Sequence, residues 1–275
     1  MSNTMTSVDE NEFLERLFSA LQQDKLVLPT LPEIALSIRD LVANEDSSLA
    51  DLCKLINKDT ALTARLIQIA NSPIFRTSVA ITSVDAAVKR LGRNVVNNIV
   101  TGVAMEQLFQ ATTEITDRKL RKCWQHAMEV SAIAATFSQQ IPHLKADQAM
   151  LAGLTHDIGA LPILTMAEDY PALLADEAML DAMIEKAHIK VGTAILKKWN
   201  FPEPIINAIQ NHEDYMFDSG AKPDYVDLII VANLQSSDNI AKLAALGDTS
   251  LIPAFAKLGF GEMEIIDMYA PPPSE

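Results

Sequence analysis

Apolar residues recur along most of this chain at steps of three and four, and the alternation that marks a half-buried strand is nearly absent. That single period restricts the fold to the all-α class, in which each helix turns an apolar stripe toward its neighbours. With 49% hydrophobic residues and only 9 Gly in 275 positions, the chain has ample material for a packed core.

Caps and prolines divide the pattern into helices. An opening helix runs from an Asp9 N-cap through Phe13, Leu14, Leu17, Phe18 and Leu21, and stops before Pro29 and Pro32. Pro32 suits the first turn of a second helix carrying Ile34, Ile38 and Leu41. Ser48 opens a short third helix, and Asp59 a fourth that ends at Asn71-Ser72-Pro73, because proline disfavours helix in the residue before it. Thr82 and Asp85 have capping-box spacing for a helix that terminates at Gly92. A long apolar helix then spans residues 94–109, and later helices are expected near residues 118–140, 147–158, 177–199, 202–213, 224–242 and 249–258.

The polar stretch between Gln110 and Lys119 is the natural boundary between two subdomains. The expected organisation is an N-terminal helix over residues 1–27, a helical subdomain over 28–115, a second over 116–260, and a tail over 261–275. The boundary is too short and mixed to be a flexible linker, so the two helical subdomains should pack together. The proline-rich tail should be extended.

A count of 22 Lys+Arg against 36 Asp+Glu gives a formal charge of -14, which opposes approach to nucleic acid or anionic lipid. The short turn between Ile56 and Thr60 has helix-turn-helix spacing, but that spacing is common in plain bundles. The basic group Lys89, Arg90 and Arg93 reads as a solvated helix end. Neither nucleic acid nor membrane is therefore an expected partner. No apolar run approaches the roughly 18 uninterrupted residues of a membrane span, and the polar, acidic start is unlike a signal peptide, so a cytoplasmic location is expected. Cys53 and Cys123 both sit in helical patterns and read as packing residues rather than a disulfide.

Four of the five histidines lie on apolar helix faces. His126 shares its face with Cys123, Val130, Ile133 and Phe137, and His156 shares one with the small residues Ala149, Ala152 and Gly153. His188 continues the line of Ile184, Val191 and Ile195, while His212 ends the line of Ile205, Ala208 and Ile209. Asn233 follows Val226, Ile229 and Ile230 in the same way, and Asp157 directly follows His156. A single histidine in such a place is ordinarily a hydrogen-bonded core residue. Four of them on separate helices, each needing a partner in a water-poor interior, point to one shared site. His143, in a turn after Ile141-Pro142, lacks the pattern and is expected at the surface.

Imidazole nitrogens with carboxylate oxygen suit Fe, Zn or Mn, and a divalent metal held this way lowers the pKa of bound water. One or two ions are expected, with His126, His156, Asp157, His188, His212 and Asn233 as candidate ligands and His156 and Asp157 as candidate catalytic groups.

The motifs resemble the HD superfamily of metal-dependent phosphohydrolases and, more closely, the HDOD (HD-related output domain) family. His126 in CWQHAMEVSAIAA looks like the first histidine of the H...HD...D core, and His156-Asp157 in LAGLTHDIGALPIL looks like its central pair. The final aspartate of that core falls at Asn233 in DLIIVANLQSSDNIA, a departure that removes an anionic ligand or base. The HDOD resemblance rests on LPTLPEIALSIRDLVANEDSS, the aspartate-punctuated DLCKLINKDTAL, the ANS turn, ITSVDAAVKRLG and HIKVGTAILKKWNFPEPIINAIQNHE, and it covers residues 28–235. It implies an HD-like helical bundle for the C-terminal subdomain. In the related HD-GYP phosphodiesterases further ligands fall near His188 and His212, but Asn211 replaces one histidine of their pair, which leaves it at most a supporting role. Ala160 stands where their lysine would be, and no GYP loop follows.

The resemblance implies a signal-transduction module acting through contacts with signalling proteins, or through sensing of a ligand such as a small phosphorylated molecule, without efficient catalysis and with a retained metal compatible with that role. The alternative it implies is a metal-dependent phosphohydrolase acting on a nucleotide or other phosphoester.

Overall fold

The computed structural model describes residues 10–75, 80–111 and 113–259. Among these there is no strand, and the fold is all-α. The first five helices are α1 (Glu10–Gln22), α2 (Glu33–Ala43), α3 (Leu49–Ile56), α4 (Thr60–Ala70) and α5 (Val84–Leu91). Next come α6 (Arg93–Met105), α7 (Glu114–Ser138), α8 (Ala146–Thr155), α9 (Ala160–Ala167) and α10 (Pro171–Ala175). The last are α11 (Glu177–Lys198), α12 (Glu203–Asn211), α13 (Tyr225–Leu234), α14 (Ile240–Leu246) and α15 (Pro253–Leu258).

The caps explain many of the boundaries. Ser48 and Asp51 form a reciprocal capping box on α3, and the Asp59 carboxylate accepts from the Leu62 amide at 2.9 Å to open α4. α5 is capped by Ser83, whose hydroxyl accepts from the Ala86 amide at 3.2 Å, and not by Thr82. Val84, Ala87 and Val88 form the buried face of α5. Gly92 ends α5 with φ +83°, a backbone angle that L side chains rarely adopt. The expected Asp9 cap and the tail over 261–275 lie outside the described residues.

Three segments depart from the periodicity. The helix expected over 147–158 ends at Thr155, and α9 and α10 fill a stretch where no helix was indicated. α9 is buried nearly all round, so it has no polar face to reveal a period, and its Pro162 sits in the first turn, where a missing amide proton costs nothing. The helix expected over 224–242 breaks after Leu234, where the Ser236 hydroxyl and the Asn239 amide donate to the Asn233 carbonyl at 2.6 and 3.1 Å. Side chains there take a carbonyl that a continuing helix would need.

Two cores result. One gathers Ile38, Leu52, Ile56, Leu66, Val88 and Ile99 of α2–α6, and Met150 and Leu154 of α8 reach into it. The other is built by α7–α13 and α15, and also receives Phe13 and Leu17 of α1, both fully buried. Phe13 meets Tyr170 edge-on with ring centroids 5.3 Å apart, and Glu10 pairs with Lys186 of α11, so α1 belongs to the later helices in space. The halves are sewn together at α11's end as well: the Trp199 indole donates to Pro29 O at 3.1 Å and Arg39 donates to Trp199 O at 2.8 Å.

One stretch, Ala146–Ala167, is long and apolar enough to cross a membrane by composition, but it is two helices broken at His156-Asp157 and 83% of its most apolar window is buried inside the fold. Arg93 is not a solvated basic group: its guanidinium donates to Leu41 O at 2.7 Å and Ser47 O at 3.0 Å, holding the turn between α2 and α3. Cys53 and Cys123 are both free thiols.

Candidate metal centre

Five helices bring the side chains singled out in the sequence to one place. His126 lies midway along α7, His188 midway along α11, and Asn233 one residue from the end of α13. His156 and His212 each follow directly on the last residue of α8 and α12. Their Nδ1 atoms lie 2.8 Å from Gly153 O and Ile209 O, so each ring caps its own helix by donating to a terminal carbonyl. His188 Nδ1 makes the equivalent bond to Ile184 O at 2.9 Å. Asp157 sits in the turn after α8, between the two pairs of rings.

Close helix approach depends on two glycines. A Cβ on Gly153 would come within 2.6 Å of the Ser131 amide nitrogen on α7, and one on Gly159 would overlap the His188 carbonyl oxygen. The first lets α8 lie against α7 near His126, and the second lets the Asp157 turn lie against α11.

The donor atoms form two triads that share Asp157. His156 Nε2 is 3.1 Å from His126 Nε2 and 3.3 Å from Asp157 Oδ2, and His126 Nε2 is 3.8 Å from the same oxygen. On the other side, Asp157 Oδ1 is 3.4 Å from His188 Nε2 and 3.3 Å from His212 Nε2, with 3.4 Å between the two nitrogens. Asn233 Oδ1 joins the first triad at 3.0 Å from His126 Nε2. The histidine rings are almost wholly buried, whereas 29% of the Asp157 side chain is accessible, so the cluster meets solvent at the shared carboxylate.

Hydrogen-bond chemistry sets the character of this cluster. A neutral imidazole carries one ring proton, and in His156, His188 and His212 the backbone carbonyl takes it at Nδ1. Each Nε2 is then a lone pair, and all three are aimed at carboxylate oxygens or at one another. Acceptors facing acceptors repel unless a cation or a proton lies between them. Ligands about 2.1 Å from a metal, at tetrahedral or octahedral angles, stand about 3.0–3.4 Å apart, which is close to the spacing within both triads. A ring proton donated to a backbone carbonyl is also the usual outer support of a metal-binding histidine. The residues therefore fit one or two divalent ions, held by His126, His156 and Asp157 on one side and by Asp157, His188 and His212 on the other.

His126 is the one ring whose proton is not fixed in this way. Its Nδ1 is buried without a partner, with Asp238 Oδ2 the near acid at 3.9 Å. A proton on Nδ1 frees Nε2 as a ligand, while a proton on Nε2 lets it bond Asn233 Oδ1. Burial and the neighbouring His156 both hold the His126 pKa below its ordinary value, which keeps it neutral. Burial likewise lowers that of His212. Burial also opposes charge on His156, but Asp157 outweighs it and raises the His156 pKa. Burial alone would raise the Asp157 pKa, yet His156, His212 and His188 together hold its carboxyl well below the usual carboxylate range.

Asn211 and His143 both lie outside the cluster, His143 at the surface as expected. The Asn211 amide donates back to Asn207 O and Oδ1, both at 2.9 Å, so its bonds run along α12 and not toward the rings. His143 is exposed and meets Pro223 O at 2.9 Å. Two contributors escaped the sequence reading. Asn239 donates its amide to Asn233 Oδ1 at 2.7 Å and thereby fixes that oxygen toward His126. Glu213, the neighbour of His212, stands 4.0 Å from His188 Nε2 at the rim. Glu213 is legible as an acid adjoining a candidate ligand; Asn239 has no local signal, because only the break after α13 brings it back.

Comparison with known proteins places this arrangement. A family model for the HDOD domain matches residues 28–215, more than half of the chain. The chain belongs to the HDOD family. The HDOD match begins in the segment before α2 and closes just after His212, so it takes in the first core, the α7–α12 part of the second and every histidine of the cluster, while α13 with Asn233 lies beyond it. Among solved structures, a Shewanella amazonensis protein provisionally described as a metal-dependent phosphohydrolase is 30% identical, with a TM-score of 0.77 over 90% of this chain and 97% of that one. An HDOD domain protein of unknown function from Geobacter sulfurreducens shares the fold, with 22% identity and a TM-score of 0.61 over 91% of this chain and 89% of its own. An uncharacterised protein of Treponema pallidum is 28% identical over 204 residues, which are 68% of this chain and 38% of that protein. This HDOD chain thus corresponds to well under half the length of that relative.

Proposed function

We propose that this HDOD chain is a signal-transduction module that holds one or two divalent ions, Fe, Zn or Mn, between its paired triads and does not turn over a phosphoester efficiently. The observation that carries the metal is the set of Nε2 lone pairs directed at the two oxygens of Asp157. What argues against turnover is Asn233, whose amide oxygen is a neutral and weaker ligand than a carboxylate and cannot serve as an anionic base, together with Ala160 in place of a lysine. The ions then act in holding five helices in register, and the module communicates through contacts with signalling proteins or through a bound ligand, a small phosphorylated molecule being one class that a metal site attracts. The formal charge of -14 argues against nucleic acid or an anionic membrane as partner, and a cytoplasmic place goes with this reading.

A second reading has specific support, since both triads are complete and the Shewanella amazonensis relative carries the description of a metal-dependent phosphohydrolase. A metal in this site would supply Lewis acidity and a water of lowered pKa for attack on phosphorus. In that case His156 and Asp157 would orient the reacting groups, and the substrate would be a nucleotide or other phosphoester reaching the site past the accessible Asp157.

One experiment separates the two. Metal analysis of protein purified without added metals is paired with a screen of phosphomonoesters, phosphodiesters and nucleotides. Bound metal without turnover is the expected result. Turnover that His156→Ala abolishes would overturn the regulatory reading in favour of the hydrolase, and absence of any bound or bindable divalent metal would remove both.

A further inference from the structure

A cavity lies at the seam between the two cores, on the face of α7 opposite His126. It encloses about 350 Å³ between α4, α6, α7 and α8. That volume falls in the size class of small-molecule sites, about 300–1,000 Å³. Its walls are aliphatic and aromatic: Ile69 of α4, Val103 of α6, Trp124 and Met128 of α7, Met150 and Leu154 of α8. At the mouth Arg65 and Glu106 face each other at 3.5 Å, so the entrance carries one charge of each sign and favours neither an anion nor a cation.

One polar atom in the lining is unanswered. The Ser72 hydroxyl, just beyond the end of α4, is buried and has no hydrogen-bond partner. A buried hydroxyl without a partner is costly, while an apolar wall with nothing against it forfeits dispersion contacts. A molecule that presents mostly apolar surface and one hydrogen-bonding group would relieve both. We infer that this cavity is a binding site for an uncharged, largely apolar small molecule that makes a single hydrogen bond to Ser72.

The site would serve the sensing half of the regulatory role proposed above, and its existence does not depend on the metal. Trp124 and Met128 flank His126 on α7, each two residues away, and Leu154 precedes His156 by two on α8. The ligand would therefore sit against the same two helices that carry the first triad, at the junction where α6 meets α8 through Gly102 and Leu154.

The test uses the full chain and 1-N-phenylnaphthylamine, an uncharged aromatic probe with one N–H whose emission rises in apolar surroundings. Binding is followed by probe fluorescence and, in a Trp199→Phe background, by energy transfer from Trp124. One saturable site per chain with quenching of Trp124 is expected. Ala132→Phe, which places a ring into the cavity from α7, should weaken binding at least tenfold while the helical circular dichroism is retained. Ser72→Ala should weaken it roughly threefold to tenfold, the effect of one neutral hydrogen bond. Should Ala132→Phe fail to fold, Ser72→Ala and the Trp124 transfer decide the matter. Absence of saturable binding, or binding indifferent to Ser72→Ala and without transfer from Trp124, overturns the inference. Neither result bears on the metal analysis, so failure here is distinguishable from failure of the regulatory reading.

Discussion

Gly159 and His188 are packed backbone to backbone: a Cβ on Gly159 would overlap the carbonyl oxygen of His188, and would also come within 2.6 Å of the Gly192 amide nitrogen. Backbone atoms cannot swing aside as a flexible side chain can, so the turn that carries Asp157 must move if residue 159 gains a side chain. Gly159→Ala should lower stability by about 1–3 kcal/mol or more, the range for overpacking a close contact. It should also separate Asp157 from His188. Thermal unfolding followed by circular dichroism, together with metal content, checks both effects; an unchanged midpoint with full metal would show that the contact is not rigid.

Asp157 is the one residue common to both triads, and this gives an ordering of variants. Asp157→Ala should reduce bound divalent metal more than either His126→Ala or His212→Ala, because each histidine variant leaves the opposite triad whole. A loss of about tenfold or more in affinity is expected wherever a triad is broken, since even outer supports of metal sites are worth about 10–100-fold. Elemental analysis and titration calorimetry with Mn²⁺ read the order directly. Equal losses in all three variants would mean that the two triads do not act as separate holders sharing a carboxylate.

How this site could be read from sequence, and where that reading stopped, follows from what each residue's position depends on. His126 and His188 announce themselves because a polar residue in the apolar line of a long helix must face the interior, and Asn233 does so by following Val226, Ile229 and Ile230 at helical steps. His156 and His212 are on the right faces too, yet the sequence did not show that each ends its helix by capping it. That depends on the ring bonding a carbonyl three residues back. The all-α class follows from period alone, but α9, in which only Thr165 is exposed, has almost no polar face to display a period. Asn239 was invisible for a different reason: its role arises from a chain reversal that is itself made by Ser236 and Asn239 competing for a helix carbonyl.

Asn233 offers a direct test of what an amide at that place does. In Asn233→Asp the Asn239 amide can still donate to the same oxygen, now 2.7 Å away on a carboxamide, so the side chain should keep its position. The added negative charge should strengthen metal binding at the His126 and His156 side by about tenfold, while stability without metal should change little or fall slightly. Calorimetry on the variant and the parent chain gives the comparison. Weaker metal binding in the variant would show that Asn233 does not face the ion.

Cys123 supplies a pH dependence through a group that is not itself a metal ligand. Burial, with a smaller contribution from the Asp157 charge, pushes its thiol up to about 12. An unfolded thiol ionises near about 8.5, so between roughly pH 8.5 and 12 the folded state binds more protons than the unfolded state. By linkage, stability must then fall as pH rises through that window, by at most about 1.4 kcal/mol per pH unit for this one group. The contribution is absent below about pH 8, where the thiol is protonated in both states. Cys123→Ala should flatten the alkaline decline relative to the parent chain whatever its effect on absolute stability, as measured by urea unfolding at pH 8, 9 and 10. The same protonation predicts that a thiol reagent at pH 8 reacts with Cys123 at least about a hundredfold more slowly in the folded chain than in urea, since the thiolate is the nucleophile. Rapid labelling of Cys123 in the folded chain would place its thiol in water and remove the basis for the slope.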